Sequence, residues 1–377
     1  MPDIVARLRS QILDPLRSRF VERGEVVDLI ALALVAGEHL FLYGPPGTAK
    51  SALIRQFASS VRGNYFEYLL TRFSEPSELF GPVDIARLRE GVVATVITGM
   101  LPEAEFAFLD ELFNANSAIL NNLLTVLNER LYRRGAETHR LPLLSLFSAS
   151  NHLPEEETLR ALFDRFLLRC RVDDLPRSAT PALLQAGWAL EQSSPPDADF
   201  TADDLRELSG RLFRVDLRPV RDLYTETIHK VRDLGIALSD RRAVKSQKLL
   251  AASAILCGRE AAEPSDLWVM RYVWDRAEQI APLRGLIQHV LEQHPAGESA
   301  HPLAKQPEKA DPEDISRQLD AIANDLEGDS VHSLLALARL RDRVAALADR
   351  SAWVGDAPAR AHLLARSEHL LGRLGPR

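Results

Sequence analysis

The sequence is poor in cysteine, in long apolar runs and in surplus positive charge. Its 377 residues include two cysteines, Cys170 and Cys257. A framework of disulfide bonds is therefore excluded, and both thiols are predicted to be buried in a protein from a reducing compartment. No apolar run approaches the roughly 18 residues that a membrane-spanning helix needs, so the sequence predicts no transmembrane segment.

The charge balance and the N-terminus exclude further classes. Lysine and arginine number 46 against 53 aspartates and glutamates, which gives a net charge of −7. This balance provides no broad basic face for nucleic acid, although a local basic patch stays open. The N-terminus carries Asp3 and lacks the basic and then apolar pattern of a secretion signal. We therefore expect a cytoplasmic globular protein, and the length favours more than one domain.

Short apolar runs alternate with helical patterns in the first half of the chain. Residues 118–130, for example, place Leu120, Leu123 and Leu127 on one face of a helix. Strands alternating with helices predict an α/β fold, in which a parallel sheet is covered by helices on both sides. The predicted strands are residues 40–43, 65–70, 106–109, 143–149 and 166–172.

Helical patterns dominate the rest of the chain. The strand pattern stops at about residue 176, and helices continue to about residue 292 with a break near residues 192–199. Residues 293–314 are polar and contain four prolines, a composition typical of an extended linker. Residues 315–377 return to a helical pattern, so the chain is divided at about 176, 292 and 314.

The segment after the first predicted strand is suited to bind a polyphosphate. It reads Gly44-Pro45-Pro46-Gly47-Thr48-Ala49-Lys50-Ser51. A loop rich in glycine and proline can aim backbone N–H groups at one point, and the following helix adds its positive dipole end. Lys50 is expected to reach the β and γ phosphates, and Ser51 offers a hydroxyl to Mg²⁺. Ala49 replaces the second glycine of the phosphate-loop pattern; because alanine tolerates helical backbone angles, we expect little disturbance.

Two carboxylates and an amide follow later strands. Asp110 and Glu111 come directly after the apolar run 106–109, where their charges would be costly without a compensating ion. Asp110 is predicted to hold the metal through water, and Glu111 to polarise an attacking water. Asn151, at the end of the strand 143–149, is predicted to orient that water or to report the loss of phosphate. An ordinary turn asparagine is the alternative.

With these elements in order, the sequence resembles the MoxR family of AAA+ ATPases and, within it, the RavA-like branch. The resemblance extends over about residues 1–292, and Ala49 is usual in this family. The matching stretches are residues 44–51, 71–82, 99–105, 121–130, 148–151 and 239–242.

This resemblance implies a division into domains. Residues 1–176 would form the AAA+ α/β nucleotide-binding core, and residues 177–292 an all-α lid domain. The helical region 315–377 follows the proline-rich linker and has no assigned role. Within the core, residues 83–99 resemble a helix-2 insert of two short strands, and residues 130–141 resemble a hairpin before sensor 1 that turns at Gly135.

The resemblance also implies a ring, usually a hexamer, whose ATP sites are shared between neighbouring subunits. Arg165 aligns with the arginine finger that reaches the neighbour's nucleotide, and Arg160 is the alternative. Removing such a group typically lowers turnover by ~10³–10⁵. Arg241, in the first turn after a predicted N-cap at Ser239, aligns with sensor 2 and is expected to reach the γ-phosphate from the lid. Arg242 is the alternative.

The implied activity is that of a Mg-dependent ATPase that uses ATP and Mg to remodel a protein client in a chaperone-like way. A partner with a von Willebrand factor A (VWA) domain would be a separate protein, because the metal-binding motif of that domain is missing from this sequence. No base-reading motif distinguishes ATP from GTP. The alternatives are a nucleic-acid-directed AAA+ motor, which the acidic balance disfavours, and a nucleotide-gated scaffold with little turnover.

Overall fold

The computed structural model describes residues 4–134, 137–192, 198–294, 296–305, 312–327, 334–351, 354 and 357–374. Strands and helices alternate up to Arg171. The strands are β1 (Leu40–Tyr43), β2 (Tyr65–Leu69), β3 (Phe106–Asp110), β4 (Leu131–Arg134), β5 (Glu137–Arg140), β6 (Ser145–Ser150) and β7 (Leu168–Arg171). The helices of this part are α1 (Ile4–Leu8), α2 (Asp14–Arg19), α3 (Gly24–Ala36), α4 (Lys50–Ser60), α5 (Pro76–Phe80), α6 (Ile85–Arg89), α7 (Ser117–Glu129) and α8 (Glu157–Phe163).

In the part of the chain after β7 that the structure describes, the regular elements are helices. No helix among the described residues is both long and apolar enough to cross a lipid bilayer. The later helices are α9 (Thr180–Gln192), α10 (Ala202–Gly210), α11 (Arg221–Asp233), α12 (Asp240–Leu256), α13 (Ile280–Gln293), α14 (Pro302–Lys305), α15 (Pro312–Glu327), α16 (Leu334–Ser351) and α17 (Ala357–Arg373).

Five strands form one parallel sheet in the order β2-β3-β6-β1-β7. Strands β1, β3 and β6 bury nearly every residue, as expected where helices cover both faces. Leu40, the first residue of β1, pairs with Leu168, the first residue of β7, so these two strands start level with each other. The predicted α/β fold is confirmed. We call the edge where the five strands end the carboxyl edge, and the edge where they begin the amino edge.

One apolar core joins the sheet to its helices. Helix α3 buries every residue from 26 to 36. Phe41, in the middle of β1, lies 5.1–5.7 Å between ring centroids from Phe113, Phe163 and Phe166. Each fully buried side chain of this size stabilises the fold by about 1.5–3 kcal/mol. The strand ends that carry the candidate site therefore stand on a rigid base.

Helix α12 packs against α3 and reaches the amino edge of the sheet. Its side chains Lys245 and Lys248 contact Glu38, two residues before β1, with Nζ–Oε distances of 3.0 and 2.8 Å. The Glu38 side chain is only 2% exposed, so removing its partners would leave a buried charge uncompensated. These two ion pairs hold α12 at the amino edge.

Residues 83–99 form a helix and a single bridge, not the two strands predicted from the sequence. Val83 pairs with Thr95 in an isolated antiparallel bridge, and α6 lies between these residues. Asp84 accounts for the helix, because its carboxylate accepts a hydrogen bond from the Arg87 backbone N–H at 3.2 Å. A carboxylate at this position satisfies the free N–H groups of a first helical turn.

The predicted hairpin at residues 130–141 is present as the antiparallel pair β4 and β5. Its predicted turn residue, Gly135, lies outside the described residues. Tyr132 of β4 stacks on Phe80 of α5, with 4.6 Å between ring centroids. The hairpin is therefore anchored to the main body next to residues 83–99.

Part of the predicted linker 293–314 is folded onto the helices before it, so it differs from the extended conformation that its composition predicts. His301 stacks on Trp268 with 4.5 Å between ring centroids. The Arg271 guanidinium donates a hydrogen bond to the Leu303 carbonyl at 2.8 Å. The prolines of this stretch explain the difference, since Pro302 and Pro312 each begin a helix, a position where proline is well tolerated.

Helices α15, α16 and α17 pack on one another around a core of their own. Ile315, Leu319 and Ile322 are fully buried, in agreement with their helical spacing in the sequence. This core is a separate cluster from the one that joins the sheet to the helices up to α14. The predicted helical region is thus an intramolecular bundle. Its buried apolar residues are Ile315, Leu319, Ile322, Leu340, Val344, Leu347, Val354, Leu363 and Leu370.

Candidate functional site

The phosphate loop leaves β1 at the carboxyl edge of the sheet. The Gly44 backbone N–H donates to the Ser150 carbonyl at 3.2 Å. A Cβ atom at Gly44 would lie 2.0 Å from the Val172 carbonyl oxygen, so only glycine fits at this position. Gly47 has φ +84°, a left-handed conformation that glycine adopts without strain. The loop is therefore held close against the ends of β6 and β7.

Ala49 corrects one expectation from the sequence. Its φ and ψ are 65° and 20°, so it is left-handed and precedes the first helical residue of α4. The expectation of helical backbone angles at this residue is therefore wrong. A left-handed conformation costs an alanine roughly 1–2 kcal/mol. The phosphate-loop pattern has glycine here for a conformational reason, and this chain stores strain directly before Lys50.

The Lys50 ammonium is bound to oxygens of its own loop. Its Nζ donates to the Gly44 carbonyl at 2.9 Å, to the Pro45 carbonyl at 2.6 Å and to the Thr48 hydroxyl at 3.1 Å. Burial lowers the pKa of Lys50, while nearby carboxylates oppose this shift. Phosphate oxygens would replace these acceptors and add charge-assisted hydrogen bonds, which are stronger than those to neutral carbonyls.

Ser51 and Asp110 form the candidate metal site. The Ser51 hydroxyl donates to Asp110 Oδ2 at 2.9 Å. Among the described residues, no group of three or more histidine, cysteine or acidic side chains could hold a metal ion. Magnesium nevertheless fits here, because it prefers oxygen ligands and is commonly held by one or two protein groups together with phosphates. Both predicted metal ligands therefore lie together.

Glu111 sits in a strained turn beside Asp110. Its φ and ψ are 53° and 46°, and its backbone N–H donates to Asp110 Oδ1 at 3.0 Å. Left-handed non-glycine residues of this kind cluster at functional sites. The charge of the Glu111 carboxylate also raises the pKa of Lys50, against the effect of burial. Its position therefore suits a group that polarises water near the phosphate loop.

Asn151 follows β6, the strand between β3 and β1. Ala149 of β6 pairs with Asp110 on one side and with Leu42 on the other. Asn151 lies two residues beyond this row, at the same edge as the phosphate loop. Its side chain is exposed, and its Oδ1 lies 2.8 Å from His152 Nδ1. The structure therefore brings Asn151 to the predicted edge, while its role stays a prediction.

Arg23 is a part of the site that sequence reasoning missed. Its Nε donates to the Thr48 carbonyl at 3.2 Å, and its Nη2 donates to the Asp173 carbonyl at 2.8 Å. Burial lowers the pKa of Arg23, and its charge acts on Lys50. Arg23 thus ties the phosphate loop to the chain after β7. No motif surrounds it in the sequence, so nothing there indicated this contact.

Arg165 lies at the opposite, amino edge of the sheet. It precedes Leu168, the first residue of β7, by three positions. Its Nη1 is 3.3 Å from Asp164 Oδ2, and its side chain is 19% exposed. Burial lowers the pKa of Arg165, and the nearby Arg241 guanidinium lowers it further. Arg165 and Arg241 are therefore neighbours within one subunit.

Burial separates Arg241 from its alternative, Arg242. The Arg242 side chain is 1% exposed and donates to Asp275 Oδ1 at 2.6 Å and to the Val273 carbonyl at 2.5 Å. Asp275 also accepts a hydrogen bond from the buried Arg169 of β7 at 2.5 Å. Arg242 is committed to this internal network, whereas Arg241 is exposed. The geometry favours Arg241 as the group that can meet a ligand.

Two further predicted residues lie close by. Ser239 is the N-cap of α12, as predicted, because its hydroxyl accepts from the Arg242 backbone N–H at 3.3 Å. Arg160, the alternative to Arg165, is exposed on α8. Exposure therefore leaves the choice between Arg160 and Arg165 open.

Arg241 lies at the amino edge, away from the phosphate loop of its own subunit. Lys245 and Lys248 hold α12 at the amino edge through Glu38. The phosphate loop begins at the other end of β1, and a strand of four residues spans about 13 Å at roughly 3.3 Å per residue. One subunit thus carries the phosphate loop at one edge and both candidate arginines at the other.

These features together define an AAA+ P-loop ATPase. The phosphate loop follows β1, the acidic pair follows β3, the amide follows β6, and a block of helices comes after the sheet. The crystal structure of a proposed ATPase from Cytophaga hutchinsonii has the same fold, with a TM-score of 0.62. It shares 17% identity, covering 78% of this chain and 96% of that one, so it supports the fold alone.

The chain belongs to the MoxR family of these ATPases. Residues 6–210 match the family model described as the MoxR domain in the MoxR-vWA-beta-propeller ternary systems, and residues 219–287 match an AAA lid domain. An uncharacterized protein of Methanocaldococcus jannaschii is 40% identical over 271 residues, covering 71% of this chain and 72% of its own. The chaperone MoxR1 of Mycobacterium tuberculosis is 28% identical over 156 residues, covering 40% and 41% of the two chains.

Proposed function

We propose that this MoxR-family protein hydrolyses ATP in a site shared by neighbouring subunits of a ring and uses the motion to remodel a protein client. One observation carries the proposal: a single subunit holds two incomplete halves of a site. Lys50, Asp110 and Glu111 lie at the carboxyl edge, and Arg165 and Arg241 lie at the amino edge. A head-to-tail contact between identical subunits would join one half to the other.

The side chains divide the chemistry between the two subunits. Backbone N–H groups of the loop and the first turn of α4 bind the phosphates, and Lys50 exchanges loop carbonyls for phosphate oxygens. Glu111 orients the attacking water and accepts its proton. Arg165 of the neighbouring subunit stabilises the charge that develops on the γ-phosphoryl oxygens. Mg²⁺, when bound at Ser51 and Asp110, supplies charge neutralisation at the phosphates.

Loss of the γ-phosphate would change contacts in both subunits. Asn151 loses an acceptor at the carboxyl edge, and Arg241 of the neighbour loses one at the amino edge. Because Arg241 lies in the first turn of α12, this change reaches the helices after the sheet in the neighbouring subunit. The two nucleotide states would then favour different positions of these helices, which is a shift of population driven by unequal contacts.

The partners are proposed from the family description. The matched model is named after ternary systems with a VWA protein and a β-propeller, which supports a VWA-domain partner on a separate chain. The β-propeller was not anticipated from the sequence. We propose that these proteins hold or present the client, and that six copies of this chain form the ring.

Several finer assignments belong to the same proposal. They are the dependence on Mg²⁺, the RavA-like branch, the cytoplasmic location and the domain boundaries at residues 176, 292 and 314. The MoxR-domain match ends at residue 210 and the lid-domain match begins at residue 219, so α9 and α10 fall within the former. We keep the boundary at 176 on the ground that the last strand of the sheet ends at Arg171.

A mixing experiment tests the shared site. Arg165→Ala and Glu111→Gln should each lower ATP turnover, the former by ~10³–10⁵. In mixed rings, the intact loop of an Arg165→Ala subunit meets the intact Arg165 of a Glu111→Gln subunit. Random mixing in equal amounts makes about one quarter of such head-to-tail sites complete. The measurement is steady-state phosphate release from each protein and from the mixture after subunit exchange.

The matched control is Arg218→Ala, which removes an exposed arginine between α10 and α11 that pairs with Asp216. It should retain full turnover alone and should not rescue Glu111→Gln beyond its own share of intact sites. A mixture of the two inactive variants that is no more active than either of them contradicts the shared site. If Arg160→Ala rescues in place of Arg165→Ala, the finger is Arg160.

A further inference from the structure

Helix α9 is an apolar helix with almost no cover. None of its thirteen residues, all of which the structure describes, is buried. Leu184 and Trp188 are 68% and 73% exposed, and Leu183 is 43% exposed. Glu191 is the only charged residue in its sequence. A helix of this length is marginal in water by itself, and an exposed patch of this kind marks an interaction site.

The position of α9 narrows what could cover it. Helix α2 packs against both α9 and α4, the helix that begins with Lys50. The chain that leads into α9 includes Asp173, whose carbonyl accepts from Arg23, and Asp174, whose charge acts on Lys50. The exposed helix therefore lies next to the phosphate loop, on the carboxyl-edge side of the sheet.

We propose that α9 is a contact between copies of this chain. In the ring it would be covered by the surface around Arg165 and Arg241 of the neighbouring subunit, which we call the amino-edge face. The inference rests on the proposed shared site. If the neighbour's Arg165 and Arg241 are to reach a nucleotide at Lys50, the surface around those arginines comes to lie beside the phosphate loop. The surface already there is α9, so the contact that completes the site also buries the helix.

The two surfaces are complementary. Val244 lies one helical turn after Arg241 and is 65% exposed, so the amino-edge face also presents an apolar side chain beside its arginines. On the other side, exposed Asp173 and Asp174 accompany the uncharged helix. In this contact the apolar side chains of α9 would meet Val244. The negative charges of Asp173, Asp174 and the nucleotide's phosphates would meet the arginine guanidinium groups.

Tryptophan fluorescence reads out the burial directly. Among the described tryptophans, Trp188 is exposed, whereas Trp268 and Trp274 are buried. Trp353, outside the described residues, is replaced by phenylalanine in every protein tested. Glu111→Gln protein with ATP and Mg²⁺ is brought from dilute to ring-forming concentration, as followed by sedimentation velocity. We expect acrylamide quenching of Trp188 to fall several-fold, with a blue shift of its emission, as rings form.

A substitution tests the energetic role of the helix. Leu184→Glu places a carboxylate in the apolar contact and should raise the concentration needed for assembly at least about tenfold. Phe213→Glu is the matched control, since Phe213 is 86% exposed outside α9, and it should leave assembly unchanged. Near-ultraviolet circular dichroism of each dilute variant checks that the fold is intact.

The outcomes separate this inference from the proposed function. Rings that form while Trp188 stays as quenchable as in single subunits overturn the α9 contact and leave the shared site standing. The same holds if Leu184→Glu assembles as well as Phe213→Glu, or if Trp188 becomes protected only after a VWA protein is added. A chain that forms no oligomer at any concentration with nucleotide overturns the shared site and the α9 contact together.

Discussion

Two residues of the candidate site have a strained backbone. Ala49 and Glu111 both have positive φ, next to Lys50 and to Asp110 respectively. The strained turn at Glu111 carries the carboxylate whose charge raises the pKa of Lys50. The strain there therefore belongs to a residue with a proposed chemical role. At Ala49 the side chain is a methyl group without a polar role. The strain there is therefore separable from the chemistry and can be removed by one substitution.

Ala49→Gly should stabilise the protein. Removing the methyl relieves roughly 1–2 kcal/mol of left-handed strain, while the added chain freedom of glycine costs about 0.5–1 kcal/mol. We expect the free energy of unfolding to rise by about 0.5–1 kcal/mol. Urea denaturation measures it, with Ala52→Gly as the control: Ala52 lies inside α4, so glycine should destabilise there. Equal destabilisation by both variants contradicts the argument.

The sequence was sufficient to bring three candidate residues of the site to the carboxyl edge. Lys50, Asp110 and Asn151 each follow a predicted strand, and parallel strands bring their carboxyl ends to one edge. Arg23 could not be found in this way. Its contacts to Thr48 and Asp173 join residues 25 and 150 positions away, and no local pattern records such contacts.

At the scale of elements, the sequence predicted where α12 starts but not where it docks. The cap at Ser239 is a local feature and was correctly predicted. Docking depends on Lys245 and Lys248 meeting Glu38, which is 207 and 210 positions away. Two ion pairs to the buried Glu38 thus decide which edge Arg241 faces.

The segment that ends in α14 should respond to acid through His301. Burial, and then the charge of Arg17 and other arginines, lowers the pKa of His301 to about 3, against about 6.5 in an unfolded chain. Between these values the unfolded state binds the proton and the folded state does not. The stability present above pH 6.5 is therefore lost as the pH falls toward 3.

His301→Phe isolates this effect, because it keeps a ring against Trp268 and cannot titrate. We expect the stability of the original protein relative to the variant to fall by about 1.4 kcal/mol per pH unit below about pH 6. Burial raises the pKa of nearby Asp28 to about 6 and gives a slope of the opposite sign; its closest charged partner, Arg17, is retained in the variant. Urea denaturation at pH 7.5, 6.5 and 5.5 provides the comparison, and a constant difference contradicts it.

At the scale of the whole molecule, the two apolar cores make the C-terminal bundle separable from the rest. A chain that ends after Lys305 keeps the core that joins the sheet to α14. We expect its melting temperature to stay within about 3 °C of the melting temperature of the complete chain, and its ATP turnover to be unchanged.

A chain that ends after Gln293 is the matched comparison. It also loses Ala300, Leu303 and the His301 ring on Trp268, so we expect about 2–4 kcal/mol less stability. Calorimetry of both truncated proteins measures the difference. Equal melting temperatures would mean that residues 294–305 add nothing to the main core.

In the proposed ring, the placement of Arg241 and the phosphate loop on opposite edges would give the assembly a direction. Each subunit would contact the nucleotide of one neighbour through Arg241 of α12. The nucleotide at its own phosphate loop would be contacted by the other neighbour. The conformational change that follows hydrolysis would then be transmitted around the ring in one direction only. A single subunit that cannot respond would interrupt this transmission at one point. A few defective copies would then be enough to inactivate a whole ring.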